Sequence, residues 1–383
     1  MATRIGATRR RPTRVPTADA TMLATMSAPS PHEPLAETFR HTVATAISDF
    51  LASRTGLVER IGAGPVLAEA HAATAGGKRL RPAFCVWGYH GCASPEDSQA
   101  LIRAAASLEL LHASLLVHDD LIDASDTRRG RPATHRVFEQ SLAGERAAAF
   151  GVAAAILTGD VLFEWSGTMF ETSGMDEAAL DRARPVLQEM RAEVLLGQYL
   201  DVAAGFSATG ATDLPAQLAQ AETALEYKSA RYSVARPAQL GAALAGGTPE
   251  EIDTLGRFGS LVGQAFQLRD DVLGVFGDPE LTGKPAGDDL REGKRTLLVL
   301  TALSRSTPAD RQRLESVLGR PAGPDDLDTA RGIIRDSGAL QAIEDRIATS
   351  REQALAELSA VPLDPGAVLA LTHLTEQATH RDR

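Results

Sequence analysis

Two cysteines, Cys85 and Cys92, are all that 383 residues contain. They form no Cys-x-x-Cys pair and match no Cys/His zinc spacing. That excludes a disulfide framework or structural zinc site and fits reduced thiols in a cytoplasmic protein. Aromatic residues reach only 4%, and clear period-two alternation is missing, which favours helix over sheet. Positive charge is short: the net charge is −11 and the isoelectric point about 5.4. This argues against a nucleic-acid binder, while leaving room for a local basic pocket. No stretch reads as the roughly 20 apolar residues of a membrane span, so a soluble protein is expected. No repeat of fixed period stands out.

What is present describes a globular body with ample core: 44% hydrophobic and 23% charged residues. Residues 1–34 stand apart, rich in Arg, Thr, Ala and Pro, with basic residues at Arg9, Arg10, Arg11 and Arg14. They are expected to form a disordered arm. The apolar stretch Met22–Met26 is too short for an export signal. Residues 35–383 read as one all-α domain of long packed helices. Phe39, Val43, Ile47 and Leu51 recur at helical spacing, and further helices are expected over 57–75, from Arg81-Pro82 to Tyr89, and from Pro95 into an acidic motif. The pattern continues over 145–170, 176–203, 214–245, 249–276, 308–318, 324–337, 339–360 and 365–379.

The acidic motif is His118-Asp119-Asp120-Leu121-Ile122-Asp123, which ends an apolar helix. Asp119 and Asp123 lie four apart and share a helix face. Two like charges so placed repel, and a divalent cation relieves that repulsion. Hard oxygen donors with few fixed protein contacts suit Mg²⁺. Gln267-Leu268-Arg269-Asp270-Asp271 closes a second long apolar helix in the same way. If the two ends face each other, carboxylates meet at the mouth of an apolar cavity, an arrangement suited to metal ions holding a diphosphate above a greasy tail. Cations stand beside both motifs: Lys78, Arg79 and Arg81 after Gly76-Gly77, then Arg128-Arg129, Lys228, Lys284 and Lys294-Arg295. Arg forks and Lys point charges are what a diphosphate needs on the side away from metal.

With these residues on view, the chain resembles the trans-prenyl diphosphate synthases, the polyprenyl synthetase family, from Leu35 to the C-terminus. GGKRLRP at Gly76–Pro82, HDDLID at His118–Asp123, RRG at Arg128–Gly130, GQYLD at Gly197–Asp201, KS at Lys228–Ser229, FQLRDD at Phe266–Asp271 and GKPAGDDLREGKRT at Gly283–Thr296 follow the family's order. The resemblance implies an all-helical bundle around a deep cavity, usually a homodimer, which joins an allylic diphosphate to isopentenyl diphosphate. It also implies several Mg²⁺ ions, three per site, on Asp119, Asp120 and Asp123 of one wall and Asp270 and Asp271 of the other. Lys78, Arg81, His112 and Arg129 would hold isopentenyl diphosphate. Arg128, Lys228, Lys284 and Lys294 would grip the allylic diphosphate. Gln198, Ser229 and Gln267 would place oxygens near the forming allylic cation.

Two positions depart from the family pattern. Gly274 stands where the second motif usually ends in Asp, so an altered shell around the metal is expected there, with Asp278 a weak substitute. Ser229 replaces a Thr and keeps the hydroxyl. Glu109-x-x-His112 matches one di-iron half-motif, but no second copy exists.

In this family the tail runs beside the helix preceding the first motif, so Ser114 and Leu115, then Leu111, would floor the cavity, each turn spanning about 5.4 Å. Ser114 is small and Leu115 is not aromatic, so a C20 product, geranylgeranyl diphosphate, is expected, with a farnesyl or longer polyprenyl product as the alternative. A class I terpene cyclase would carry an Asn/Ser/Glu metal triad in place of FQLRDD. A non-catalytic partner subunit would have lost motif residues.

Overall fold

The computed structural model describes residues 30–207, 213–277 and 287–380. The first two helices are α1, Glu37–Ile61, and α2, Gly64–Thr74, where the sequence pattern reads a single helix over 57–75. The break is Gly62, which takes the left-handed conformation (φ 78°) and turns its N–H back onto the last turn of α1. Then come α3 (Leu80–Cys92) and α4 (Ser98–Ile122), the latter started by Asp97, whose side chain accepts from the Gln99 and Ala100 amides. A hairpin of two-residue strands, β1 (Thr127–Arg128) and β2 (Arg131–Pro132), follows, absent from the sequence-based expectation. Its turn, Arg129-Gly130, has positive φ at both residues (51° and 75°), the geometry that matches hairpin twist.

The body continues through α5 (Thr134–Gln140), α6 (Ala147–Glu171) and α7 (Glu177–Ser207). The stretch expected as one helix over 214–245 is continuous but not uniform. An α-helix, α8 (Leu214–Ala224), passes into an 11-residue π-helix, Leu225–Ala235, and back into α9 (Arg236–Ala245). Helix α10 (Pro249–Phe276) opens with a reciprocal Thr248/Glu251 capping box. The rest is α11 (Asp288–Arg291), α12 (Leu297–Arg305), α13 (Pro308–Val317), α14 (Pro324–Asp336), α15 (Ala339–Glu357) and α16 (Pro365–Thr379).

Two apolar cores organise these helices. The larger gathers α1, α3, α4, α6, α7, α9 and the first half of α10; the smaller gathers the second half of α10 with α12, α14 and α15. Helix α10 therefore belongs to both, and its polar end emerges between them. Among the described residues two helices, α4 and α6, are long and apolar enough to cross a membrane by length and composition alone, which corrects the expectation that no stretch reaches that length. In α4, 78% of that span is buried inside the protein, against 33% in α6. The apolar length of α4 is thus used by the core, whereas α6 leaves Phe150, Val152, Ile156 and Leu157 exposed.

Candidate active site

The C-terminal end of α4 and the polar end of α10 line one cavity of about 600 Å³, together with the end of α7, the π-helix, α11 and the start of α12. Asp123 stands on one side, Asp270 and Asp271 on the other, with Asp201, Asp289, Lys228 and Lys294 between them. Asp119 is tied to this wall by Gln198, whose Nε2 donates to Asp119 Oδ1 at 3.0 Å. Asp120 turns inward instead. It is buried and paired with Arg128, whose Nε donates to Oδ1 at 2.8 Å. On the opposite wall Gln267 Nε2 donates to Asp271 Oδ1 at 2.9 Å, an i,i+4 contact along α10.

The electrostatics show carboxylates crowded beyond what they would adopt in water. Burial, then the neighbouring Asp119, pushes the Asp123 carboxyl above the ordinary carboxylate range. Asp271 is driven well above it, mainly by burial, with the Gln267 bond opposing and the charges of Asp289, Asp270 and Asp201 adding to the rise. Two lysines supply local compensation. Lys228 Nζ lies 2.5 Å from Asp201 Oδ2 and 4.0 Å from Asp119 Oδ1. Lys294 Nζ lies 2.5 Å from Glu292, 3.6 Å from Asp289 and 3.7 Å from Asp123, so it touches both walls. Burial works against the charge on each lysine, yet the surrounding carboxylates hold both ammonium groups above their ordinary value.

Lys228 and Ser229 reach the cavity from the π-helix, a widened turn type often found at functional sites. Its neighbours pack against bare backbone. A Cβ on Gly197 of α7 would come within 2.4 Å of the Lys228 nitrogen, and one on Gly263 of α10 within 2.4 Å of the Ala230 oxygen. Larger side chains there would push the lysine out of place.

A second basic group lies behind Asp120. Arg81 stacks over the Tyr232 ring at 4.3 Å and donates from Nη2 to Ser233 at 3.0 Å; the Tyr232 hydroxyl is 3.1 Å from His112 Nδ1. Arg129, held in a left-handed conformation, donates to the Ala75 carbonyl at 2.8 Å. Burial first, then Arg81, Arg129, Arg128 and Arg79, lowers the His112 pKa well below its ordinary value, so the ring is neutral. Arg79 differs from its neighbours. It is buried against Glu109 at 2.6 Å and the Thr74 carbonyl at 2.8 Å, a structural tie between α4 and the turn after α2.

The structure therefore assembles Asp123, Asp270, Asp271, Lys228, Ser229, Gln267 and Lys294 around one cavity. Asp119 and Gln198 do not line it but join it through the contact of Asp119 with Lys228. Asp120 lines a separate cavity with Arg128 and Arg129, and Arg81 and His112 meet at Tyr232. Lys78 lies in the turn before α3. Lys284 and Asp278 fall outside the described residues. Ser114 and Leu111 are fully buried on α4, and neither they nor Leu115 line the 600 Å³ cavity. Sequence reasoning passed over Asp201, Asp289, Glu292 and Tyr232. Asp201 ends the quoted GQYLD and Asp289 sits within GKPAGDDL, so both were inside quoted motifs without a role. Among the described residues no three carboxylates, thiols or imidazoles converge closely enough to cage an ion.

Facing carboxylates separated by lysines are suited to grip a polyanion through divalent metal, with water and the polyanion completing the coordination. That defines the class: an all-α enzyme that handles phosphorylated substrates. Comparison with known proteins supplies the family. Residues 66–334 match the polyprenyl synthetase family, and the chain belongs to it. It is similar to the geranylfarnesyl diphosphate synthase of Aeropyrum pernix, 37% identical over 77% of this chain and 87% of that protein. The octaprenyl diphosphate synthase of Escherichia coli is 32% identical over 80% and 87%. A crystal structure of geranylgeranyl pyrophosphate synthase from Corynebacterium glutamicum, complexed with isoprenyl diphosphate and magnesium, superposes with TM-score 0.84 at 37% identity, covering 90% of this chain and 99% of that one. The chain is a trans-prenyltransferase, and its family uses divalent metal ions. These relatives are named for different product lengths, so family membership leaves that length open.

Proposed function

We propose that this chain condenses an allylic diphosphate with isopentenyl diphosphate in a Mg²⁺-dependent reaction, and that its main product is geranylgeranyl diphosphate, C20. The observation carrying this reading is the meeting of the α4 and α10 carboxylates across one cavity, with Lys228 and Lys294 among them. The donor set fits Mg²⁺: all oxygen, drawn from two walls, and too open to strip the ion of water. Asp119, Asp123 and Asp270 would hold the ions, three per site, with Asp120 and Asp271 supporting. When bound, Mg²⁺ supplies positive charge for the departing diphosphate.

The protein's own groups do the rest. Lys228 and Lys294, which contact carboxylates of the site, would hold the allylic diphosphate oxygens together with Arg128 and, as the family resemblance implies, Lys284. Lys78, Arg81 and Arg129 hold isopentenyl diphosphate. If the Tyr232 hydroxyl donates to His112 Nδ1, the other ring nitrogen carries a proton to offer the same anion. Gln198, Ser229 and Gln267 direct oxygens at the allylic cation, the isopentenyl double bond attacks, and the released diphosphate accepts the proton lost. Closure over the cavity keeps water from trapping the cation.

The C20 product rests on Ser114, Leu115 and Leu111. Ser114 is five residues upstream of Asp119, about 7.5 Å along the helix, and its buried hydroxyl has no protein hydrogen-bond partner. The fold match to a geranylgeranyl pyrophosphate synthase supports the same length. Incubation with Mg²⁺, labelled isopentenyl diphosphate and allylic primers should give diphosphates ending at C20. A hydrocarbon without isopentenyl incorporation would indicate a cyclase, and no turnover a partner subunit.

A soluble, cytoplasmic homodimer is part of the same proposal. Burial pushes the Cys85 thiol up to about 12; burial, then Glu251, pushes Cys92 up to about 11, as suits unreactive thiols in a reducing compartment. Helices α6 and α7 touch where Arg191 stacks on Phe163 at 4.0 Å. On the same two helices Phe150, Ile156 and Leu157 of α6 and Leu195, Leu196 and Tyr199 of α7 are exposed, apolar surface that a second copy would cover. Sedimentation should show a dimer that Leu196→Asp converts to monomer; a wild-type monomer would refute it.

A further inference from the structure

Glu109 matches half of a di-iron spacing with His112, and the reaction proposed above gives it no part. It is buried on α4, three residues before His112 and on the same helix face. Its partner is Arg79, also buried, whose Nη1 donates to Glu109 Oε2 at 2.6 Å while Nη2 donates to the Thr74 carbonyl at 2.8 Å.

Arg79 stands in the turn between α2 and α3, directly after Lys78 and two residues before Arg81. That turn is loose by composition, since Gly76 and Gly77 both take positive φ, 69° and 90°. Arg79 itself is left-handed at φ 59°, a conformation that a residue with a Cβ holds only at a cost. Its side chain offsets the cost by capping α2, because Thr74 ends that helix and its carbonyl has no intrahelical donor. Arg129 takes the next carbonyl, Ala75, from the hairpin side at 2.8 Å, and its Nη2 would stand 3.4 Å from a Cβ on Gly77. Two guanidiniums thus clamp the turn at a helix C-terminus, the end where the dipole favours positive charge. Glu109 also serves the cluster electrostatically. Burial works against the charge on Arg129, and Glu109 leads the neighbouring charges in sustaining it.

We infer that Glu109 is a positioning residue for isopentenyl diphosphate: by fixing Arg79 it sets the turn from which Lys78 and Arg81 reach the anion. The inference rests on the isopentenyl assignment proposed above and deepens it. It also separates the two substrates, because Lys228 and Lys294, assigned to the allylic diphosphate, stand on the π-helix and between α11 and α12.

The test is steady-state kinetics of the full chain in Mg²⁺, varying each substrate with the other saturating, beside melting temperatures. Glu109→Gln keeps the shape and removes the charge. It should raise KM for isopentenyl diphosphate about tenfold, the scale of one hydrogen bond to a charged group, with kcat and the allylic KM within about twofold of the parent. Removing one partner of a buried ion pair destabilises, whereas replacing both with packed apolar side chains is often neutral. Arg79→Met with Glu109→Leu should therefore regain the parental melting temperature and keep the raised isopentenyl KM, and it carries the test if Glu109→Gln does not fold. A parental isopentenyl KM in the double variant, or an equal rise for both substrates, would overturn the inference while Arg81→Ala still raises that KM. No response to Arg81→Ala would overturn the isopentenyl assignment itself, and the inference with it.

Discussion

On α4 the carboxylates come from one helix end, Asp119 to Asp123, whereas on the other side α10 supplies Asp270 and Asp271 and a separate short helix brings Asp289 to the same cavity. The first wall is local: its spacing follows from helix geometry, and its partners Gln198, Lys228 and Arg128 close around a finished group. The second draws on tertiary packing as well, because the Gly287 amide holds the start of α11 on the Gly274 carbonyl and Asp289 lies against that glycine. Both ways of building the wall put carboxylates beside the same cavity. What differs is the exposure of each wall to error, since a change in the α11 region can weaken the second wall without touching α10.

The largest effect that could break this comparison is loss of either wall's leading carboxylate. Asp119→Ala and Asp270→Ala should each lower turnover by about a thousandfold, the scale of several kcal/mol of lost charge stabilisation. Near-normal turnover in Asp270→Ala would show that the second wall is not a metal site. Ser114→Phe should leave both walls intact and act on product length alone, shifting it from the proposed C20 towards C15 on chromatography. An unchanged product would show that Ser114, buried on α4 and not lining the 600 Å³ cavity, takes no part in setting product length.

The smallest effect separates the metal wall of α4 from the basic group behind it. His112 shares α4 with Asp119 but is neutral, its pKa held well below 6.5 by burial and the surrounding arginines. The unfolded chain takes up this proton below about pH 6.5, so stability that is complete above that pH drains away as pH falls towards the folded value. The advantage of the parent over His112→Gln should shrink by about 1.4 kcal/mol per pH unit below 6.5. Parallel stability curves down to pH 5 would mean that His112 is charged in the fold.

The same contrast explains what could be read from the sequence. The helix start at Pro249 and the acidic motif at Asp119 are local signals, and both reappear in the structure. The helix expected from Pro95 begins instead at Ser98, behind the Asp97 cap. Helix α12 escaped because Leu297–Leu303 is almost entirely apolar, with no polar face to mark a period. The π-helix escaped because residue preferences do not distinguish one helical hydrogen-bond register from another. Asp289 escaped because only packing brings it beside Gly274, fifteen residues earlier, and into the cavity shared with Asp123. Asp278, the substitute considered from sequence spacing, lies outside the described residues.

The central claim is that both walls grip one diphosphate through divalent metal. Isothermal titration with an unreactive thio-analogue of the allylic diphosphate tests it directly, in Mg²⁺ and again after chelation. The account predicts binding that requires Mg²⁺ and is lost in both Asp119→Asn and Asp270→Asn. Binding that survives chelation, or survives either substitution at parental affinity, would contradict it.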